Sequence, residues 1–273
     1  MANPWPELRW WDSGERQVVE EKIDDLVASG VQCNPKKADL YRSLQATPEG
    51  EVRVCVIGQD PYPASEMATG IAFSIPKSIP RERFPQTLRI ILAEYSSDLG
   101  LPTPSHGDLS AWTSRGVLLW NAVPSCQSGR PLSNNWDEWS YLTGEIVNKL
   151  AKRGGVVFVC LGRVASAYTA QVDRVRNRVI ETSHPSPRGI RASKSPFTGS
   201  RIFSTANVRL RELQQTPIDW RLTDDFSPST VGQGYIPPDS LGRGDVLPNI
   251  TGAELGGLKR QGTSPNIYTS LVF

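Results

Sequence analysis

The sequence predicts a three-layer α/β/α fold built on a central, mainly four-stranded parallel sheet. Three observations predict it. Four short apolar runs, at residues 52–57, 116–120, 156–161 and 178–182, are separated by segments long enough to hold crossover helices. The first three runs are nearly continuous in Val, Ile, Leu, Phe and Cys, as befits strands covered on both faces. Each run delivers a polar or conformationally special residue at its carboxyl end: Gln59 and Asp60, then Asn121, Gly162 and His184. Open parallel sheets bind ligands at that edge, so four separate segments are expected to converge on one cleft.

In chain order, Trp5, Trp10 and Trp11 lie in an irregular arm, where aromatics tie a terminus to the core. Val18, Val19, Ile23, Leu26 and Val27 then recur at helical spacing behind Ser13, a candidate cap. A short helix is expected near Ala38 to Leu44. The first strand, with Arg53 its one interruption, is stopped by Gly58, and Pro61 holds the following loop out of helical geometry. A Pro-rich loop covers 75–80, and a helix begins near Gln86 with Leu88, Ile91, Leu92 and Tyr95 on one face. Another is expected from Trp136 through Leu150, between the second and third strands. The fourth strand, 178–182, leads into Ser183-His184-Pro185-Ser186-Pro187.

With 273 residues and a net charge of +2, the chain can bury a sizeable core but is not a polycation. Any nucleic-acid binding must come from a local basic face, and residues 185–209 offer one: they hold Arg188, Arg191, Lys194, Arg201 and Arg209 and no Asp or Glu. Cys33, Cys55, Cys126 and Cys160 are widely spaced, with no C-x-x-C pair, so zinc or iron–sulfur ligation is poorly supported and Cys55 and Cys160 read as core residues. Neither a membrane-length apolar run nor a signal-peptide pattern occurs, which leads to the expectation of a cytoplasmic, monomeric protein, nucleoid-associated in a bacterium.

Gly58-Gln59-Asp60-Pro61-Tyr62, continued by Gly70-Ile71-Ala72-Phe73-Ser74, resembles the first active-site motif of the family 1 uracil-DNA glycosylases, with Pro63 where that family has His. Gly116-Val117-Leu118-Leu119-Trp120-Asn121 resembles the family's strand ending in Asn, with Trp120 replacing a Leu. His184-Pro185-Ser186-Pro187-Arg188 resembles its second motif, with Arg188 replacing Leu. The resemblance spans roughly residues 37 to 220 and implies the same three-layer fold.

What the resemblance implies about function is hydrolysis of the N-glycosidic bond of deoxyuridine in DNA, with no metal or organic cofactor. Asp60 would stabilise the cationic sugar and orient water, and His184 would donate a hydrogen bond to the charge developing on uracil O2. Gln59 would line the base site, Phe73 stack on uracil, Asn121 read its edge with one amide donor and one acceptor, and Tyr62 exclude the thymine methyl. Thr87, Gly162, Arg163, Ser186, Lys194 and Arg201 would contact DNA, single- or double-stranded. Arg188 would act as a wedge in the duplex or as a phosphate clamp. The family's phage-encoded inhibitor protein is understood to bury the replaced Leu in an apolar cavity, so weak or absent inhibition is implied here. Because of the departures, a catalytically weak relative that holds uracil or abasic-site DNA stays open.

The expected organisation is an N-terminal arm and helix over 1–36, a catalytic domain over 37–220, and an irregular extension over 221–273. That extension is rich in Gly, Pro, Ser and Thr, with Phe226, Tyr235 and Leu247 as possible anchors.

Overall fold

The computed structural model describes residues 3–222. The expected C-terminal extension lies, from residue 223 on, outside the described residues. In chain order the elements are α1 (Gly14–Ala28), β1 (Cys33–Asn34), α2 (Arg42–Ala46), β2 (Val54–Gly58), α3 (Gln86–Leu99), α4 (Ser110–Thr113), β3 (Val117–Asn121), β4 (Cys126–Gln127), α5 (Asp137–Arg153), β5 (Val157–Leu161), α6 (Arg163–Tyr168), β6 (Arg178–Thr182), α7 (Pro187–Ala192) and α8 (Ile202–Glu212). The four expected strands form one sheet in the order β3-β2-β5-β6, with every pair parallel.

Period-two geometry divides the side chains of the fully buried strands β2, β3 and β5 between two cores. Cys55, Ile57, Leu118, Trp120, Phe158 and Cys160 pack toward α1 and α5, against Ile23, Trp139, Leu142 and Ile146. Val54, Val56, Val117, Leu119, Val157 and Val159 pack toward α3 and α8, against Leu88, Ile91, Phe203 and Leu210. β6 is an edge strand that, unlike the other edge strand β3, is only partly buried, and charged Arg178 and Glu181 flank its Val179 and Ile180.

The strand order also fixes where a ligand can sit. The chain steps from β2 outward to β3, then returns across β2 to β5, so its helices change faces between β2 and β5. A crevice opens at the carboxyl ends of strands where the winding reverses.

Local signals explain the helix ends. α5 carries Asp137 and Glu138 in its first turn and Lys152 and Arg153 in its last, matching the helix dipole, and α3 is closed by Gly100 in a left-handed conformation. Trp5 fastens the N-terminal arm: it is fully buried and its indole N–H donates to the carbonyls of Leu44 and Thr47, each at 3.0 Å. Trp10 stacks on Trp139 with ring centres 5.5 Å apart.

Several sequence expectations are corrected. β2 begins at Val54 rather than Val52 and includes Gly58. Arg53 therefore does not interrupt it; its guanidinium lies at the amino edge of the sheet and binds the carbonyls of Arg115 (2.7 Å), Thr216 and Pro217 (3.3 Å). In α1 only Val19 and Ile23 are fully buried, Val18 and Val27 are exposed, and the Ser13 hydroxyl donates back to Trp10 instead of capping the helix. The antiparallel pair β1 and β4 was not foreseen, since two residues per strand leave no period to read. Among the described residues no helix is long and apolar enough to cross a membrane.

Candidate functional site

The parallel register pairs Gly58 at the end of β2 with Asn121 at the end of β3. Gly58 is required there by contact: a Cβ would lie 2.6 Å from Asn121 Oδ1 and 3.1 Å from the Phe73 ring. Beyond β2 the loop is pinned to the next strand's exit, with Ala122 N–H donating to Gly58 O and Val123 N–H to Gln59 O, both at 2.9 Å. Phe73 sits in the left-handed region at φ 64°, an unfavourable conformation for a bulky residue, and such strain concentrates at functional sites. Its segment is held to the sheet by Ala72 N–H on Leu119 O at 3.1 Å.

On the other side of the switch point, β5 ends at Gly162, which has φ 98°. A Cβ there would meet His184 Cβ at 3.3 Å, so glycine lets the segment after β6 close over the end of β5. Ser186 accepts from Gly189 N–H at 3.2 Å and caps α7, with Pro187 at its first position.

Gln59, Asp60, Tyr62, Phe73, Thr87, Asn121 and His184 line a single cavity of about 130 Å³, together with Pro63, Ser74 and Pro131. An apolar cavity of roughly 150 Å³ accepts benzene, so this one suits a single six-membered ring. Phe73 and His184 border it with ring centres 6.5 Å apart and planes tilted by 47°. The Tyr62 hydroxyl donates to Phe73 O at 3.3 Å and lies 3.1 Å from the Thr87 hydroxyl. Tyr62 is thus locked in place, and burial raises its pKa so that it stays neutral.

Burial pushes the Asp60 carboxyl above its ordinary range, against the Leu132 N–H and the Gln59 amide, which pull it down. Leu132 N–H donates to Oδ2 at 2.8 Å, and Gln59 Nε2 donates to Oδ1 at 3.3 Å. Burial lowers the pKa of His184, keeping the imidazole neutral at pH 7. The Asn121 amide and the His184 imidazole have no hydrogen-bond partner among the described residues, although both line the cavity. Polar groups placed this way are satisfied by a ligand or water.

The sequence-derived DNA-contact residues divide into three groups. Thr87 lines the cavity itself, while Gly162 and Ser186 support His184 and α7. Arg163, Arg188 and Lys194 are exposed and form no ion pair among the described residues. Arg201 is already engaged, 3.6 Å from the fully buried Asp98 carboxylate of α3. Sequence reasoning missed Leu132 and Pro131, whose loop reaches the cavity from between β4 and α5; Pro131 gives a turn signal, but a main-chain donor leaves no side-chain signature.

A family profile described as the Uracil DNA glycosylase superfamily matches residues 44–211. The uracil-DNA glycosylase of Acinetobacter baylyi is 36% identical over 206 residues, covering 75% of this chain and 83% of that protein. That of Lacticaseibacillus casei is 38% identical over 190 residues, covering 70% and 81%. The crystal structure of mimivirus uracil-DNA glycosylase superposes with a TM-score of 0.71 at 21% identity, over 81% of this chain and 87% of that one, which supports the fold alone. Sequence, sheet order and relatives agree: the chain belongs to the uracil-DNA glycosylase superfamily.

Proposed function

We propose that the protein is a uracil-DNA glycosylase that draws deoxyuridine out of DNA into this cavity and hydrolyses its N-glycosidic bond, leaving an abasic site. The observation that carries the reading is a half-buried carboxylate, an imidazole and an unpartnered amide lining one ring-sized cavity at the sheet's switch point. Extrusion is required because a stacked nucleotide hides the reacting atoms.

In the reaction the C1′–N1 bond breaks and its electron pair goes to uracil N1, leaving an oxocarbenium-like sugar. Asp60 faces the cation and orients the water that attacks C1′; the water's proton leaves to Asp60 or solvent. His184, neutral, donates a hydrogen bond toward the charge on uracil O2. Both interactions strengthen as charge develops, so they favour the transition state over bound substrate. Asn121 pairs its amide with O4 and N3–H of uracil, and cytosine presents the opposite pattern. Phe73 stacks on the ring, Gln59 completes the base site, and the immobilised Tyr62 leaves no space for a thymine methyl.

DNA is held by the basic segment after His184. That segment is folded back toward the motif, with Ser183 N–H on Ser195 O at 2.9 Å and Phe197 N–H on Ser183 Oγ at 3.0 Å, and this supports a phosphate role for Lys194 and Arg188. Arg163, at the start of α6, serves a neighbouring phosphate, and Gly162, Ser186 and Thr87 bring main-chain and hydroxyl donors to the same strand. Arg188 fills the gap left by the extruded nucleotide with its stem and stacks its planar head on an exposed base. The same charged head disfavours burial in the apolar cavity of the phage inhibitor protein, so inhibition is weak.

The test is release of free uracil from labelled single-stranded and duplex oligonucleotides that contain one deoxyuridine. Release by the parent, with at least a roughly 100-fold loss in Asn121→Asp, is expected, because a buried carboxylate cannot donate to O4. Tight DNA binding with no released base would favour a binding relative instead.

A further inference from the structure

We infer that the main-chain N–H of Leu132, held in the left-handed region of the backbone, positions the Asp60 carboxylate for reaction in this chain; the inference rests on the function proposed above. Pro63 stands where the resembling motif has histidine, so no side chain at that position can hydrogen-bond to the carboxylate or its water. The 2.8 Å bond from Leu132 to Oδ2 is the shortest that Asp60 receives, and Gln59 reaches only Oδ1, at 3.3 Å. Oδ2 is therefore anchored and Oδ1 is left available to a water.

Leu132 donates with its backbone held at φ 56°, a region that non-glycine residues seldom occupy. The loop around it is over-determined. Ser133 Oγ accepts from Gln127 N–H at 2.7 Å. Asn134 Nδ2 and the Trp139 indole both donate to Ser125 Oγ, at 3.0 and 3.1 Å, which ties the loop to α5. Gly129 N–H and Asn34 Nδ2 each donate to Pro63 O at 2.9 Å. The loop thus docks on the Asp60 motif at two points, Leu132 on the carboxylate and Gly129 on the Pro63 carbonyl. Leu132 is a positioning residue: it acts through Asp60 and favours that residue's ionised form.

The test replaces the Leu132 amide with an ester, by incorporating the matching α-hydroxy acid, and compares it with Leu132→Gly and Leu132→Val. Single-turnover uracil release from single-stranded DNA is followed across pH. The ester should slow release about tenfold, the worth of one hydrogen bond to a charged group, with DNA affinity unchanged. It should also move the acid limb to higher pH, because an ionised Asp60 has lost its donor. Leu132→Gly keeps the N–H and accepts a positive φ, so its limb should stay at the parent position, whereas β-branched Leu132→Val should shift upward. If the ester protein fails to fold, the Gly and Val pair decides. An ester with the parent's rate and limb, or Gly and Val variants with coincident limbs, would overturn the inference. A parent that releases no uracil would contradict the proposed function itself, which a releasing parent with an indifferent limb would leave intact.

Discussion

The smallest residue of the site sets its geometry. With 2.6 Å between a would-be Cβ at Gly58 and Asn121 Oδ1, a methyl group there must displace either the Asn121 amide or the Phe73 ring. Gly58→Ala is therefore expected to slow uracil release by on the order of 100-fold, the usual cost of an ångström-scale misplacement. Single-turnover kinetics beside a thermal melt would separate this from unfolding: the rate should fall far more than the melting temperature. The residues whose side chains carry the proposed chemistry were legible in sequence, because prolines and glycines bracket Asp60 and His184. Leu132 was not, since Arg130-Pro131-Leu132-Ser133 advertises a turn and its contribution is a backbone donor in a conformation that no residue type announces. Arg201 has a neighbour that its sequence context did not reveal. Its charge was visible, but the buried Asp98 that engages it lies about a hundred positions away in sequence and reaches it only through the packing of α3 on α8.

At the scale of elements, the strands were readable from burial on both faces, and α3 and α5 from a clear apolar stripe with capping or charge at the ends. Trp120, which departs from the resembling motif, is accommodated because α5 places Thr143 Oγ1 2.9 Å from its indole N–H. α7 and the segment after it supply the proposed DNA contacts. Affinity for single-stranded DNA should fall with salt despite a net charge of only +2, and Arg188→Ala or Lys194→Ala should each flatten the log–log slope by about one unit. Arg201→Ala should leave the slope nearly unchanged and lower the melting temperature instead, because Asp98 would lose its cation. Equal slope changes in all three variants would show that Arg201 leaves Asp98 for phosphate.

For the whole molecule, sheet order decides where function sits. The return of the chain across β2 opens the crevice between β2 and β5, and the cavity residues are delivered to that edge by several separate segments. Parallel order was foreseeable from alternating strands and helices, but the two-residue pair β1 and β4, which helps hold the Leu132 loop, was too short to read. The fold bears a cost for burying Asp60. Its folded-state pKa is raised, so the stability linked to its protonated form is present below the unfolded pKa and is lost as pH rises through the folded one. Asp60→Asn should therefore melt higher than the parent at pH 7, with the gain disappearing below the ordinary carboxylate pKa; a lower melting temperature at pH 7 would mean that ionised Asp60 stabilises the fold. The most direct measurement is single-turnover release of uracil from single-stranded DNA by the parent and Asp60→Asn, with DNA affinity measured alongside. A rate lower by about 100-fold or more at nearly unchanged affinity is the expected result, because the role proposed for the carboxylate is to act on charge that exists only in the transition state, whereas an undiminished rate in Asp60→Asn would contradict it.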